Sequence, residues 1–418
     1  MFDLHLTPEQ LVIRQTVREF VEAEIKPIAL GRDRVETFEE RFPWEVLIKG
    51  SQIGMRTLAL SQEHGGGGGD TLTCCIVAEE VAVGDVGIAV TLNQTSTFSH
   101  LLFDQATTPQ QRQRFLTDFL ADHRYHLVMA GHEPDTDLGW NYFQPLVPGT
   151  GYKTTAVRDG DSHWVISGAK NFITNGKIAK LIMVQARTDP TKLGLAGVST
   201  FLVARDTPGL SIREHDKVGR RLGSNAELFF DDCRVPAENL LGEEGRNPLL
   251  GAGAGLLGRG SPRFQALNLG VGRAAYEAAL AFSRLWVQGG KPIVEHQAVG
   301  LALAEMTVGL EVARSMIWKA AWAADHPEAY SDGSLPGLPL QTIAKVFTSE
   351  TVHRAAVMAM QLFGGMGVMR ELPMQKYVRD ALIFLHSEAT NDVARLRIAE
   401  ALAGYQRAAV VSPGGGPE

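Results

Sequence analysis

The pattern of apolar and polar positions changes its period twice along the chain. Over the first stretch it is helical: Leu11, Val17, Phe20, Val21 and Ile25 recur on one face, introduced by Thr7-Pro-Glu-Gln10, a hydroxyl cap with proline in the first turn. Pro27 is expected to end that helix. Further helices are predicted over 39–53, 71–84 and 109–121, with five consecutive glycines, 65–69, as a flexible loop. Near residue 125 the pattern shortens. Segments 127–130, 153–159, 163–167, 180–186, 199–204 and 228–231 are rich in Val, Ile, Phe and Thr and are separated by turns such as Arg158-Asp-Gly-Asp161 and Thr207-Pro-Gly209. No helix-length segment lies between consecutive strands, so an antiparallel, barrel-like sheet is expected rather than βαβ units. After Pro262 helical spacing returns over 265–287, 294–324, 339–362 and 374–403, and four helices of this length form an up-and-down bundle. The expected fold class is therefore α+β: an N-terminal helical domain (1–124), a middle antiparallel β-barrel-like domain (125–242), a C-terminal four-helix bundle (243–404) and a tail (405–418).

Composition narrows the function classes. At 418 residues and 44% apolar content the chain can bury a full core. A formal net charge of −7, with no Lys/Arg block, argues against a nucleic-acid partner. The three cysteines, two of them the pair Cys74-Cys75, form neither a disulfide framework nor a metal motif and suit a reducing compartment. With no apolar run of about 18 residues and no signal-like N-terminus, neither a membrane span nor export is expected, and the expected location is cytoplasmic. No G-x-G-x-x-G stands in a strand-to-helix context, which disfavours a doubly wound nucleotide fold.

Candidate chemistry gathers near the C-terminus. Arg379 and Asp380 precede the apolar run 381–385, and Glu388 follows between the small residues Ser387 and Ala389. A carboxylate delivered off a buried run with little bulk beside it can face a cleft as a general base; the local pattern equally fits a solvated glutamate at a helix foot. Upstream, Gln361-Leu-Phe-Gly-Gly-Met-Gly367 ends an apolar helix in glycines whose exposed N–H groups can hold phosphate or simply end the helix.

Several of these stretches, in this order, resemble the acyl-CoA dehydrogenase family, and the likeness runs from about residue 5 to residue 403. It is carried by His132-Glu-Pro134, Val165-Ile-Ser-Gly-Ala-Lys-Asn-Phe-Ile-Thr-Asn-Gly176, Lys217-Val-Gly-Arg-Arg-Leu-Gly-Ser-Asn225, Phe230-Asp-Asp-Cys-Arg-Val-Pro236, Gly290-Lys-Pro-Ile293 with Gln297, the glycine cluster, Arg379-Asp380 and Glu388-Ala-Thr390. The resemblance implies FAD-dependent α,β-dehydrogenation of an acyl-CoA thioester: a glutamate takes the α-proton, the β-hydrogen leaves as hydride to flavin N5, and the thioester oxygen is held by the base's own backbone N–H and a flavin hydroxyl. The base falls on Glu388; the alternative family position, on the first bundle helix, has no acid between Arg259 and Leu269. Phe172 and Thr174 fall on positions that meet the flavin ring, with Phe172 replacing the usual tryptophan. Gly131 and His132 fall on the loop along its pyrimidine side, Met129 on the strand leading there, and Thr390 beside the base. Gln361, Gly364 and Gly365 correspond to a turn serving the dinucleotide of a neighbouring subunit. The resemblance thus implies a homodimer or homotetramer, with an electron-transfer flavoprotein as acceptor.

Departures bear on the reading. Trp286 and Gly289 stand where relatives carry Arg and Phe, Leu138 where a serine contacts phosphate or pantetheine, and His132 where threonine is commoner. Arg259 and Arg263 both compete for the CoA-pairing role. Ser387 and Ala389 stand where relatives have Tyr and Gly; with the glycine rim at 65–69 this fits a branched, cyclic or otherwise wide acyl group, and a plain surface loop with the missing bulk filled by a neighbour such as Phe384 fits nearly as well. A flavin-dependent oxidase or monooxygenase of the same fold, or a non-catalytic relative, are the alternative readings.

Overall fold

A computed structural model describes residues 5–134, 151–192, 194–246, 248–249 and 261–404. Helix α1 (Pro8–Phe20) starts in a reciprocal cap, with the Gln10 N–H donating to the Thr7 hydroxyl (3.1 Å) and the Thr7 N–H to the Gln10 amide oxygen (3.0 Å). It does not end before Pro27. A π turn over Val21–Ile25, closed by the Lys26 N–H on the Val21 carbonyl, leads into α2 (Lys26–Asp33), where Pro27 occupies a first-turn position that needs no N–H. Helices α3 (Trp44–Gln52), α4 (Thr71–Gly84), α5 (Val86–Ser99) and α6 (Pro109–Ala121) complete the first domain. The polar face that sequence reading looks for is missing from α5, which is buried along most of its length.

The middle domain holds an eight-stranded sheet: β1 (His126–Ala130), β2 (Thr155–Asp159), β3 (His163–Thr174), β4 (Ala179–Arg187), β5 (Val198–Ala204), β6 (Leu210–Glu214), β7 (Asn225–Pro236) and β8 (Leu240–Leu241). The expected antiparallel barrel is not what forms. The order β6-β7-β3-β2-β4-β5-β8 is open, with β6 and β8 as its ends, and the sheet is mixed, because β1 runs parallel to β4 and β2 meets β4 in parallel at Thr155 and Arg187. Turn signals report only which strands are neighbours in sequence. Pairing between β1 and β4, across the intervening strands, leaves no such signal.

The last domain contains α7 (Pro262–Leu285), α8 (Gln297–Asp325), α9 (Leu340–Leu362), α10 (Met374–Phe384) and α11 (Asn391–Ala403), so the expected fourth helix is two, interrupted at 385–390. First and last domains share one core: Val17, Val21, Val81 and Leu92 pack in the same cluster as Leu269, Ala313, Val352 and Phe384. Gly270 permits the closest approach, since a Cβ there would lie 2.5 Å from the Glu79 carbonyl of α4. Two buried carboxylates of α4 receive the charge that the packing encloses, with Arg273 bonded to Glu79 and Glu80, and Arg314 to Glu79.

The 65–69 loop is laced rather than flexible. Its N–H groups at Gly66, Gly67, Gly68 and Gly69 donate to the carbonyls of Ser61, Thr57, Leu60 and Leu58 at 2.8–3.0 Å.

Candidate active site

The interruption between α10 and α11 is a turn in which Glu388 (φ 58°) and Ala389 (φ 95°) both occupy the left-handed region. Two consecutive side-chain-bearing residues there are costly, and the surroundings hold them. Lys345 of α9, 1% exposed, reaches into the turn and donates to the Ala389 carbonyl (2.8 Å) and to the Asn391 side chain. The Thr390 hydroxyl caps α11 by accepting from the Val393 N–H. Ser387 folds back, its hydroxyl donating to the Ile383 carbonyl at 2.9 Å.

The Glu388 side chain points at the start of α7. Its Oε2 accepts from the Ser261 backbone N–H and from the Gln265 amide, each at 3.2 Å. Withdrawal from water pushes the carboxyl up to about 7, against the Ser261 N–H, the Lys345 charge, Gln265 and the Arg220 charge, all of which favour the ionised form. Burial likewise brings Lys345 down to about 8. Among the described residues the Glu388 N–H has no protein acceptor, so the turn offers a carboxylate and a free donor from one residue.

A second group of predicted residues lies on the sheet. Phe172 (φ 54°) is 62% exposed; its ring stacks on His215 at 5.1 Å and meets His132 edge-on at 5.8 Å. Asn171 ties the three together, its N–H donating to the His132 carbonyl and its side-chain oxygen bonding His215 Nε2 (2.7 Å). Behind them Lys170, fully buried, bonds Glu133 at 2.7 Å and lies 3.8 Å from the Tyr152 ring centre, and burial lowers it to about 8. Gly131 has no room for a side chain, because a Cβ would meet the Gln185 amide oxygen at 2.7 Å. Met129 is half-buried on β1, its sulfur accepting from Gln185.

The segment 218–225 links the two groups. The Asn225 amide donates to the Thr174 hydroxyl at 3.3 Å, while the Arg220 N–H donates to Asp380 Oδ1 of α10 at 2.6 Å. From the first domain, Gly87 of α5 comes so close that a Cβ would lie 2.5 Å from the Gly223 nitrogen. All three domains therefore meet at the segment 218–225.

Other predicted residues stand apart. Gln361, Gly364 and Gly365 lie exposed at the far end of α9, where Phe363 stacks on Phe282 (4.1 Å) and Phe282 on Trp286 (5.4 Å). Arg263 stands in the first turn of α7; burial raises the Cys74 and Cys75 thiols of α4, and the Arg263 charge offsets part of that rise. Arg259 and Leu138 lie outside the described residues. Sequence reading missed Gln265, His215, Arg220 and Lys345; the last left a signal, a lone lysine in the otherwise apolar run 343–347.

Comparison with known proteins identifies the family. Family models for the N-terminal, middle and C-terminal domains of acyl-CoA dehydrogenases match residues 7–123, 148–233 and 256–403. The chain is 34% identical over 402 residues to the short-chain specific acyl-CoA dehydrogenase of Clostridium acetobutylicum, covering 95% of this chain and 98% of that protein. It is 33% identical to the mitochondrial short-chain enzyme of Mus musculus over 93% of this chain and 88% of the mouse protein. Among solved structures, butyryl-CoA dehydrogenase from Megasphaera elsdenii superposes with a TM-score of 0.82 at 30% identity, covering 96% and 100% of the two chains. A glutaryl-coenzyme A dehydrogenase in complex with glutaryl-CoA gives 0.85 at 27%, covering 97% and 98%. With identity of this order along nearly its whole length, the chain belongs to the acyl-CoA dehydrogenase family of FAD-dependent oxidoreductases.

Proposed function

We propose that the protein introduces an α,β double bond into an acyl-CoA thioester, with Glu388 as the base. The observation that carries this is the turn itself, which presents a carboxylate near neutral pKa and, from the same residue, a backbone N–H with no acceptor among the described residues. The carboxylate removes the α-proton while the N–H faces the thioester oxygen on which negative charge develops, so one strained turn supplies both base and oxyanion donor. The Ser261 N–H at the start of α7 offsets part of the rise caused by withdrawal from water, so that ionised and protonated forms are both populated near neutral pH.

The residues on the sheet fit a flavin. Phe172 offers an exposed flat face backed by His215, His132 rims it, and the Thr174 hydroxyl stands at the same strand end. Open space at the Cβ positions of Gly364 and Gly365 suits close approach by a dinucleotide. Bound there, FAD supplies the acceptor for the two electrons that leave with the β-hydrogen. The exposed positions of Gln361, Gly364 and Gly365 at the C-terminal end of α9 support a shared site in a homodimer or larger assembly. Leu301, Val308 and Val312, exposed along one face of α8, give a second copy an apolar surface to cover. An electron-transfer flavoprotein is the proposed acceptor.

Anaerobic mixing of the FAD-loaded protein with acyl-CoA thioesters tests the reading. Bleaching of the flavin band is expected, and a flavin that no thioester reduces would refute it.

A further inference from the structure

Arg220 is the one feature beside the base that the proposed chemistry does not use. It sits in the turn between β6 and β7 with φ 53°, and its backbone N–H is anchored on Asp380. The side chain is 7% exposed. Its guanidinium carbon lies 5.4 Å from the Phe264 ring centre and 5.7 Å from that of Phe384, and Nη1 reaches the Ser387 hydroxyl at 3.5 Å, the outer limit of a hydrogen bond. Ser387 is the residue before the base, and Phe264 the residue before Gln265, which bonds the base.

What the guanidinium lacks among the described residues is a carboxylate in contact with it; burial lowers it to about 10, and the charges of Asp380 and Glu388 offset that only from a distance. Asp380 is committed, one oxygen to the backbone N–H of Arg220 and the other to Lys376 at 2.6 Å. Glu388 Oε2 is taken by Ser261 and Gln265. Among the described residues no carboxylate oxygen comes within 4 Å of the Arg220 side chain, whereas its neighbour Arg221 is bonded to the Asp33 and Val35 carbonyls and to Glu36. Burying a guanidinium without a partner is unfavourable, and two aromatic faces offset that only in part. The surroundings of Ser387 on this side are thus cationic.

We infer that Arg220 is a specificity-determining residue that receives a carboxylate on the acyl part of the substrate, so that the thioester processed is the mono-CoA ester of a dicarboxylic acid. The planar fork matches a carboxylate in two parallel hydrogen bonds, and the desolvated setting between Phe264 and Phe384 strengthens them. Placement next to Ser387 puts that carboxylate within a few atoms of the carbon that loses its proton. The inference rests on the dehydrogenase reading. A guanidinium serving only to tune Glu388 would act on every thioester alike, which separates the two roles.

The experiment is anaerobic stopped-flow reduction of the FAD-loaded protein by glutaryl-CoA, its neutral monomethyl ester and butyryl-CoA. Wild-type protein is expected to favour glutaryl-CoA in kcat/KM by at least about 10-fold over either neutral thioester. Arg220→Met is expected to lose about 100-fold on glutaryl-CoA and far less on butyryl-CoA, inverting the order, with Arg220→Lys restoring part of the preference. Equal losses on all three thioesters, or a wild-type protein fastest on butyryl-CoA, would overturn the inference while leaving the dehydrogenase reading intact. Failure of all three to bleach the flavin would remove both. If Arg220→Met does not hold FAD, the wild-type ratio of glutaryl-CoA to its methyl ester decides alone.

Discussion

Two turns in this molecule meet opposite demands. At 65–69 the backbone runs so close to residues 57–61 that a Cβ on Gly66 would sit 2.1 Å from the Leu60 carbonyl oxygen, so glycine is there for want of space. At 388–389 the dihedrals are those glycine prefers, yet the residues are Glu and Ala. The first turn is relaxed and crowded. The second is strained, and on the proposed reading what it gains is a base whose backbone and side chain are oriented together, held by Lys345. Glycine thus appears where packing needs it and is absent where function needs stiffness.

The sharpest way to break the comparison is at the strained turn. Glu388→Gln should hold FAD but lower the rate of flavin reduction by about 10⁴-fold, measured anaerobically, because the amide keeps the shape and cannot accept a proton. The same variant carries a stability signature. A carboxyl raised from its ordinary value to about 7 costs the fold nothing below the unfolded pKa and progressively destabilises it as pH rises through 7. Glu388→Gln should therefore be more stable than wild type at pH 8 by about 1–3 kcal/mol, with the difference vanishing below about pH 4 in thermal melts. For the wild type, kcat/KM should fall below about pH 7 with the slope of one proton.

At the crowded turn the expected effect is on folding alone. Gly66→Ala should cost about 3 kcal/mol or more, since backbone must move, and a melting temperature within 1 °C of wild type would contradict the close approach. Lys345→Met probes the support under the base. It should lower kcat by about 10–100-fold with little change in KM, and move the acid limb of the pH profile to higher pH, because a cation that favours ionised Glu388 is gone. A purely structural lysine would leave the limb in place. Ala389→Gly is the mildest: relief of the left-handed backbone should stabilise by no more than about 1 kcal/mol while slowing flavin reduction several-fold, and a variant both less stable and equally fast would show the strain to be unimportant.

Much of this was legible in the residues and some could not be. Helices α4 and α6 stand where periodicity put them, and the order of three domains follows from the shift in pattern. The barrel was wrong because parallel pairing of β1 with β4 joins segments that no turn connects. Continuity of the predicted helix over 374–403 was wrong for a subtler reason: no glycine or proline stands between Leu385 and Thr390, so the break has no punctuation and depends on Lys345, more than forty residues upstream. The local pattern around Glu388 offers a base or a solvated glutamate equally, and the resemblance is what favours the base. Its partners Ser261 and Gln265 and its neighbour Arg220 came only from the fold, since contacts between distant segments have no local pattern.

The π turn in the first helix acts as a phase shifter. One residue beyond an α-helical turn rotates everything after it by about 100°, and so decides which way Asp33 faces at the end of α2. Asp33 is ion-paired with Arg379 of α10, the helix that ends at the base, and its carbonyl accepts from Arg221. Removing a single residue between Val21 and Ile25 would make a more regular helix and swing Asp33 away from both arginines. Chain length here is therefore held constant by a contact on the opposite side of the molecule's sequence, and a lineage of this protein can exchange residues in that turn far more readily than it can gain or lose one.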